Sequence, residues 1–191
     1  MGAMSQSKRA ELIRRALDLF YRNGFHATGM DLVARETGVS KTAIYKHFRT
    51  KEDLILATLR LRDETFRNWL LRRMADLAET PEGQLLALFD ALAEWFAQDS
   101  FRGCLFIKAS AEYQDADHPI NREALAHKRL LLDHFADLAA QAGFADPRAL
   151  AAQILILKEG AIVLAAMSHS AAAARDAKRA AGQLLTSAAR I

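Results

Sequence analysis

Within the twelve residues from Ser40 to Lys51 the chain places Ser40, Lys41, Thr42, Tyr45, Lys46, His47 and Lys51. Lys and Thr side chains can read base edges in a major groove, and Tyr hydroxyl and Lys ammonium groups suit phosphate oxygens. A helix starting at Lys51 adds backbone N–H groups for a further phosphate. The sequence shows no nucleophile–base–acid arrangement, no Gly-rich phosphate loop and no HExxH pattern, so the chemistry expected is recognition rather than bond making. Val39, Ile44 and Phe48 are threaded between the polar groups. A segment that buries this apolar set and exposes the polar one is held rigidly from behind while its front meets a polyanion.

The elements that must hold this segment are legible from periodicity and punctuation. Leu12, Ile13, Ala16, Leu19 and Phe20 share one face of a helix over about residues 8–23, which Gly24 stops. Thr28 with Asp31 three residues on reads as an N-cap and its acidic partner, opening a helix to Thr37 with Met30, Val33 and Ala34 inward. Gly38 ends it and permits a tight turn. Ser40 caps a third helix ending near His47, and Thr50, followed by Glu52 and Asp53, opens a long fourth. Pro81, Pro119 and the Asp146–Pro147 pair start later helices, and "GCLFIKASAEYQ" reads as another. The expectation is an all-α chain of about nine helices.

Charge separates the front of the chain from the rest. Residues 1–52 hold ten Lys/Arg against five Asp/Glu, whereas the remainder holds sixteen against eighteen. A polyanionic partner is therefore expected for the front only. The single cysteine, Cys104, excludes an internal disulfide and a CxxC metal site. No signal peptide and no stretch of about 20 apolar residues suited to a bilayer is read, so no membrane partner is expected and the cytoplasm is the expected compartment.

Residues 10–56 resemble the DNA-binding domain of the TetR family of bacterial transcriptional regulators. The matching pieces are the helix through Ala16–Phe20, "GFHAT" (24–28), "LVARETGVS" (32–40) and "YKHFRTKEDL" (45–54). The resemblance implies a three-helix helix-turn-helix domain over residues 5–50, its motif at about 29–48, and an effector-binding and dimerisation bundle over 51–191. By the same resemblance Thr28, Ser40, Lys41, Thr42, Tyr45, Lys46, His47 and Lys51 take DNA-contact roles. Gly29 stands where the family often has a second hydroxyl, which points to a backbone phosphate contact there. Asp31 stands where relatives are sometimes basic, and is read as the capping acid rather than a base contact. "RGCLFIKASAEYQDADHP" (102–119) is similar to a segment of one regulator subgroup, with Lys108 where an amide is more usual.

The later part of the chain is rich in aromatic and sulfur residues. A pocket between bundled helices is typically apolar with a few polar groups, so Phe89, Trp95, Cys104, Phe106, Tyr113, His127, His134 and Met167 form the candidate ligand-binding set, with plain core packing as the rival reading for each. No catalytic residue, metal site or cofactor is expected. The last two helices are rich in alanine, which lets helices approach closely, and the family resemblance implies a homodimer through a four-helix interface made from two copies of this pair. A two-fold dimer reads a palindromic duplex operator, and an unknown small-molecule effector is expected to release it. The full expectation is a ligand-responsive regulator, most often a repressor. Its rivals are a nonspecific DNA-coating protein and a helical ligand-binding protein or enzyme that carries a helix-turn-helix-like front domain.

Overall fold

The computed structural model describes residues 2–168 and 170–191, with side chains from Ser7 onward. Among the described residues there are nine helices: α1 (Gly2–Asn23), α2 (Met30–Thr37), α3 (Lys41–His47), α4 (Lys51–Leu77), α5 (Pro81–Phe96), α6 (Leu105–Glu112), α7 (Pro119–Gln141), α8 (Pro147–Ser168) and α9 (Ala172–Ser187). No strand is present among them, and the sole β contact is an isolated bridge between Phe144 and Arg190. The helix starts follow the expected capping chemistry. Thr80 Oγ1 accepts the N–H of Gly83 at 3.1 Å, and Asp146 Oδ1 accepts that of Ala149 at 3.0 Å. Thr50 and Asp53 form a reciprocal box at the head of α4. Each backbone N–H is accepted by the other's side chain at 3.1 Å.

The chain divides into two compact units that no single cut in the sequence produces. One comprises residues 1–65 and 105–127, the other residues 66–104 and 128–191. The first thus contains α1–α3, the front of α4, α6 and the front of α7. Its core is built from Leu12, Ala16 and Phe20 of α1, Val33 of α2, Ile44 of α3, and Leu54 and Ile55 of α4, all at most 1% exposed. The second unit packs α8 on α9 and α5 on both. Around Trp95 it gathers Phe66, whose ring centre is 4.6 Å away, and Phe101, edge-on at 4.9 Å.

Two sequence expectations, on the start of α1 and the cap of α2, are corrected here. Helix α1 starts at Gly2 rather than near residue 8. The N-cap of α2 is Gly29, in extended backbone with no side-chain cap. Thr28 turns inward instead and donates its hydroxyl to Gly24 O at 2.6 Å. Helix α8 is long and apolar enough to cross a bilayer by length and composition. Its Leu150, Ile154, Ala161 and Ile162, however, fill the second unit's core together with the buried Lys158.

Candidate nucleic-acid interface

Helix α3 is only seven residues long, too short to persist in water without tertiary support. Its entry is fixed by Gly38, whose φ of +71° lets the chain turn sharply out of α2. Ser40 then caps it, Oγ accepting the Ala43 N–H at 3.2 Å. Its exit is Phe48, in extended backbone, with its N–H on Ile44 O at 3.0 Å. Ile44 is fully buried and Phe48 nearly so. The Arg9 guanidinium covers the Phe48 ring, 4.8 Å from its centre. The helix is therefore clamped from behind, as the spacing of Ile44 and Phe48 predicts; Val39 is half-buried.

With that face buried, the opposite one carries the polar set outward. Ser40, Lys41, Thr42, Tyr45, Lys46 and His47 are all exposed, and Lys51 is half-buried at the start of α4. Tyr45, at 44% exposed, is not filling space in the core. Thr28 is the exception: at 0% exposed and with its hydroxyl given to Gly24 O, it has no side-chain surface for a phosphate. Asp31 does not partner Thr28. Its Oδ1 lies 2.9 Å from Lys41 Nζ, and that hydrogen bond, reinforced by the carboxylate's charge, holds the Lys41 ammonium above its ordinary pKa.

Sequence spacing did not single out the α1 side chains that lie beside α3. An open cleft of about 550 Å³ runs beside α3, lined among others by Lys8, Arg15, Ser40 and His47. Arg15 also reaches the end of α2, with Nη1 donating to Thr37 O at 3.3 Å. The basic excess of the first 52 residues was the available signal for these side chains.

The candidate ligand-binding residues are divided between the two units. Phe106 and His127, in the first unit, stack face to face with ring centres 3.8 Å apart, and His127 Nδ1 lies 2.7 Å from Asp63 Oδ1. Tyr113, in the same unit, packs against Phe25 and His26, with ring centres at 6.2 and 4.8 Å. Burial pushes its hydroxyl pKa up to about 12. In the second unit Phe89 and Trp95 are buried on α5, and His134 is half-buried, which lowers its pKa. Met167 is 75% exposed on α8, so its place is on a surface rather than in an interior site.

Cys104 sits in a charged cluster that the sequence did not announce. Lys128 Nζ donates to Cys104 Sγ at 3.3 Å and to Glu159 Oε2 at 2.8 Å. Lys158, fully buried, donates to Glu159 Oε1 at 2.7 Å. Burial alone raises the Glu159 pKa, but the two ammonium groups outweigh it and hold the carboxyl at about 2. Burial pushes the Lys158 pKa down, against the attraction of Glu159. The Lys128 pKa goes up despite burial, through Cys104 and Glu159.

A short helix buried on one side, with Lys, Thr, Tyr and His on the other, entered through a glycine turn from a second helix, defines a helix-turn-helix DNA-binding protein. Comparison with known proteins narrows the class. The profile "Bacterial regulatory proteins, tetR family" matches residues 12–58, and "Tetracyclin repressor-like, C-terminal domain" matches residues 81–181. The chain is 28% identical over 178 residues to the HTH-type transcriptional regulator YjdC of Escherichia coli, covering 93% of each. It is 29% identical over 99 residues to the HTH-type transcriptional repressor KstR2 of Mycobacterium tuberculosis, covering 48% of each. Among solved structures it matches SCO4454, a TetR-family transcriptional regulator from Streptomyces coelicolor. That match has a TM-score of 0.87 and 30% identity over 95% of both chains. The chain belongs to the TetR family of helix-turn-helix transcriptional regulators.

Proposed function

We propose that the protein is a homodimeric repressor that binds a palindromic DNA operator in the cytoplasm and is released from it by a small-molecule effector. The exposure of Lys41, Thr42, Tyr45, Lys46 and His47 over a buried Ile44 and Phe48 carries the DNA-contact half of this reading. Thr42 and Lys46 suit base edges; Tyr45, Lys51 and the α1 side chains Lys8 and Arg9 suit phosphates on either side. Helix α8 supports the dimeric half. Gln153, Ile156, Gly160, Val163 and Met167 are exposed at alternating spacings of three and four, a seam that suits a second copy of itself. Ile156 is 71% exposed, and Leu164 beside the seam is exposed as well. Such apolar surface is covered in a working assembly, and a two-fold axis through it pairs two recognition helices for a palindrome.

Effector release follows from linkage. A ligand that prefers the conformation with misplaced recognition helices lowers operator affinity by its differential affinity for the two states. Duplexes selected from a random pool by the full-length protein, then titrated between about 50 and 200 mM salt, test the DNA half. The expected result is a steep salt dependence with a specific-to-random ratio of roughly 10³ or more. Equal affinity for all duplexes would leave a nonspecific coat instead.

A further inference from the structure

Two side chains one turn apart on α6 hold the end of α1 and the turn that follows it. Lys108 Nζ donates to Tyr21 O at 2.9 Å and lies 5.2 Å from the centre of the Tyr21 ring. Glu112 accepts two successive backbone N–H groups, that of Phe25 on Oε1 at 2.9 Å and that of His26 on Oε2 at 2.6 Å. His26 Nδ1 is 3.3 Å from the same Oε2. The polarity of each contact is matched. The last carbonyls of α1 carry the negative end of its dipole and meet the ammonium, while the amides of the turn meet the carboxylate. Gly24 makes the approach possible. Its φ is +83°, and a Cβ there would stand 2.9 Å from Glu112 Oε1. The Tyr113 ring, next in the chain, covers the same turn.

The turn so held joins α1 to α2, and α2 leads through Gly38 into α3. We infer that Glu112 and Lys108 are positioning residues for DNA recognition, fixing the α1–α2 turn from α6 and thereby the pose of α2 and α3 on the groove. Neither side chain touches nucleic acid in this role. The turn amides could equally be satisfied by water or by a local Asp or Ser cap. Here they are satisfied by a residue 87 positions away from Phe25, so the pose of the DNA-binding helices depends on where α6 lies. The inference rests on the DNA-contact role of α3 proposed above.

The test uses full-length Glu112→Gln and, separately, Lys108→Met. Three quantities are measured: affinity for the selected operator, affinity for random duplex, and the 1H–15N signals of the Phe25 and His26 amides. In the wild type both amides should resonate downfield, as donors to a carboxylate, and in Glu112→Gln both should move upfield. Operator affinity should fall about tenfold or more, while random-duplex affinity stays within about twofold. Lys108→Met should reduce the same ratio, and it decides the matter alone if Glu112→Gln does not fold. An unchanged operator-to-random ratio in a folded variant overturns the positioning role, and so do wild-type amides at ordinary positions. A wild type with no duplex preference overturns the DNA reading itself, which the amide signals distinguish from failure of the clamp.

Discussion

Lys41 Nζ sits 2.9 Å from Asp31 Oδ1, tying the first turn of α3 to the first turn of α2. Both side chains are exposed, at 49% and 85%, so the pair contributes little to stability. In the proposed DNA-contact role of α3 its consequence is for specificity: a tethered ammonium would reach only certain phosphates, and the carboxylate would repel the rest. Asp31→Asn should free Lys41 to neutralise a phosphate on any duplex. The plot of log K against log salt then steepens by about 0.9, and random DNA gains more than the operator does. Equal slopes for wild type and variant would refute the tether.

The roles proposed for Thr42 and Lys51 separate reading from holding. Thr42→Ala should relax sequence preference at one operator position, by about 1–3 kcal/mol of lost discrimination. Lys51→Ala should weaken all duplexes alike and flatten the salt slope. Binding arrays against single-base operator variants distinguish the two, and unchanged binding in both variants removes these residues from the interface.

The buried charges on α7 and α8 set a sharp contrast in stability. Two ammonium groups face one carboxylate, so Glu159→Gln leaves two cations without compensation and should cost about 3–5 kcal/mol. Lys158→Met leaves the Lys128–Glu159 pair intact and removes the most buried charge, and should be neutral or stabilising. Urea unfolding of the two variants against wild type measures both.

The same cluster gives a pH dependence with a defined sign. Glu159 is held at about 2 against an ordinary 4.5, so the unfolded chain binds its proton first as pH falls. The contribution, on the order of 3 kcal/mol, is complete above the unfolded value and is lost between about 4.5 and 2. Lys128 and Lys158 are the charged groups facing it. Wild type should therefore lose more stability than Glu159→Gln as the pH is lowered from about 5 to about 2.5. Parallel curves would show that the cluster does not hold the carboxylate down.

The α8 seam predicts the oligomeric state. Val163→Glu should convert a dimer to a monomer in sedimentation, because it places a charge at the proposed two-fold contact. Operator affinity falls with it, since two half-sites are no longer read together. A variant that remains dimeric places the interface elsewhere.

Much of the site was legible because its causes are local. Gly38, the Ser40 cap, and the spacing of Ile44 and Phe48 act within one or two turns, and each stands as the residues imply. Thr28 was misread because two local bonds competed for one hydroxyl. A cap on α2 and a bond back to Gly24 O use the same residue, and burial beside Phe25 decided for the second. Met167 was misread because an apolar residue on an apolar helix carries no mark of which face it occupies.

By itself, the sequence determined the nine helices of the described residues, their stops, the outward polar stripe of α3 and the family, because periodicity, capping and short motifs act between near neighbours. Only the tertiary structure decided that α6 belongs with the DNA-binding helices, that Glu112 and Lys108 grip α1 and its turn, and that Lys158 is buried against Glu159. The first two link groups 86 or 87 residues apart. Burial is set by what packs against a residue, which no window along the chain contains.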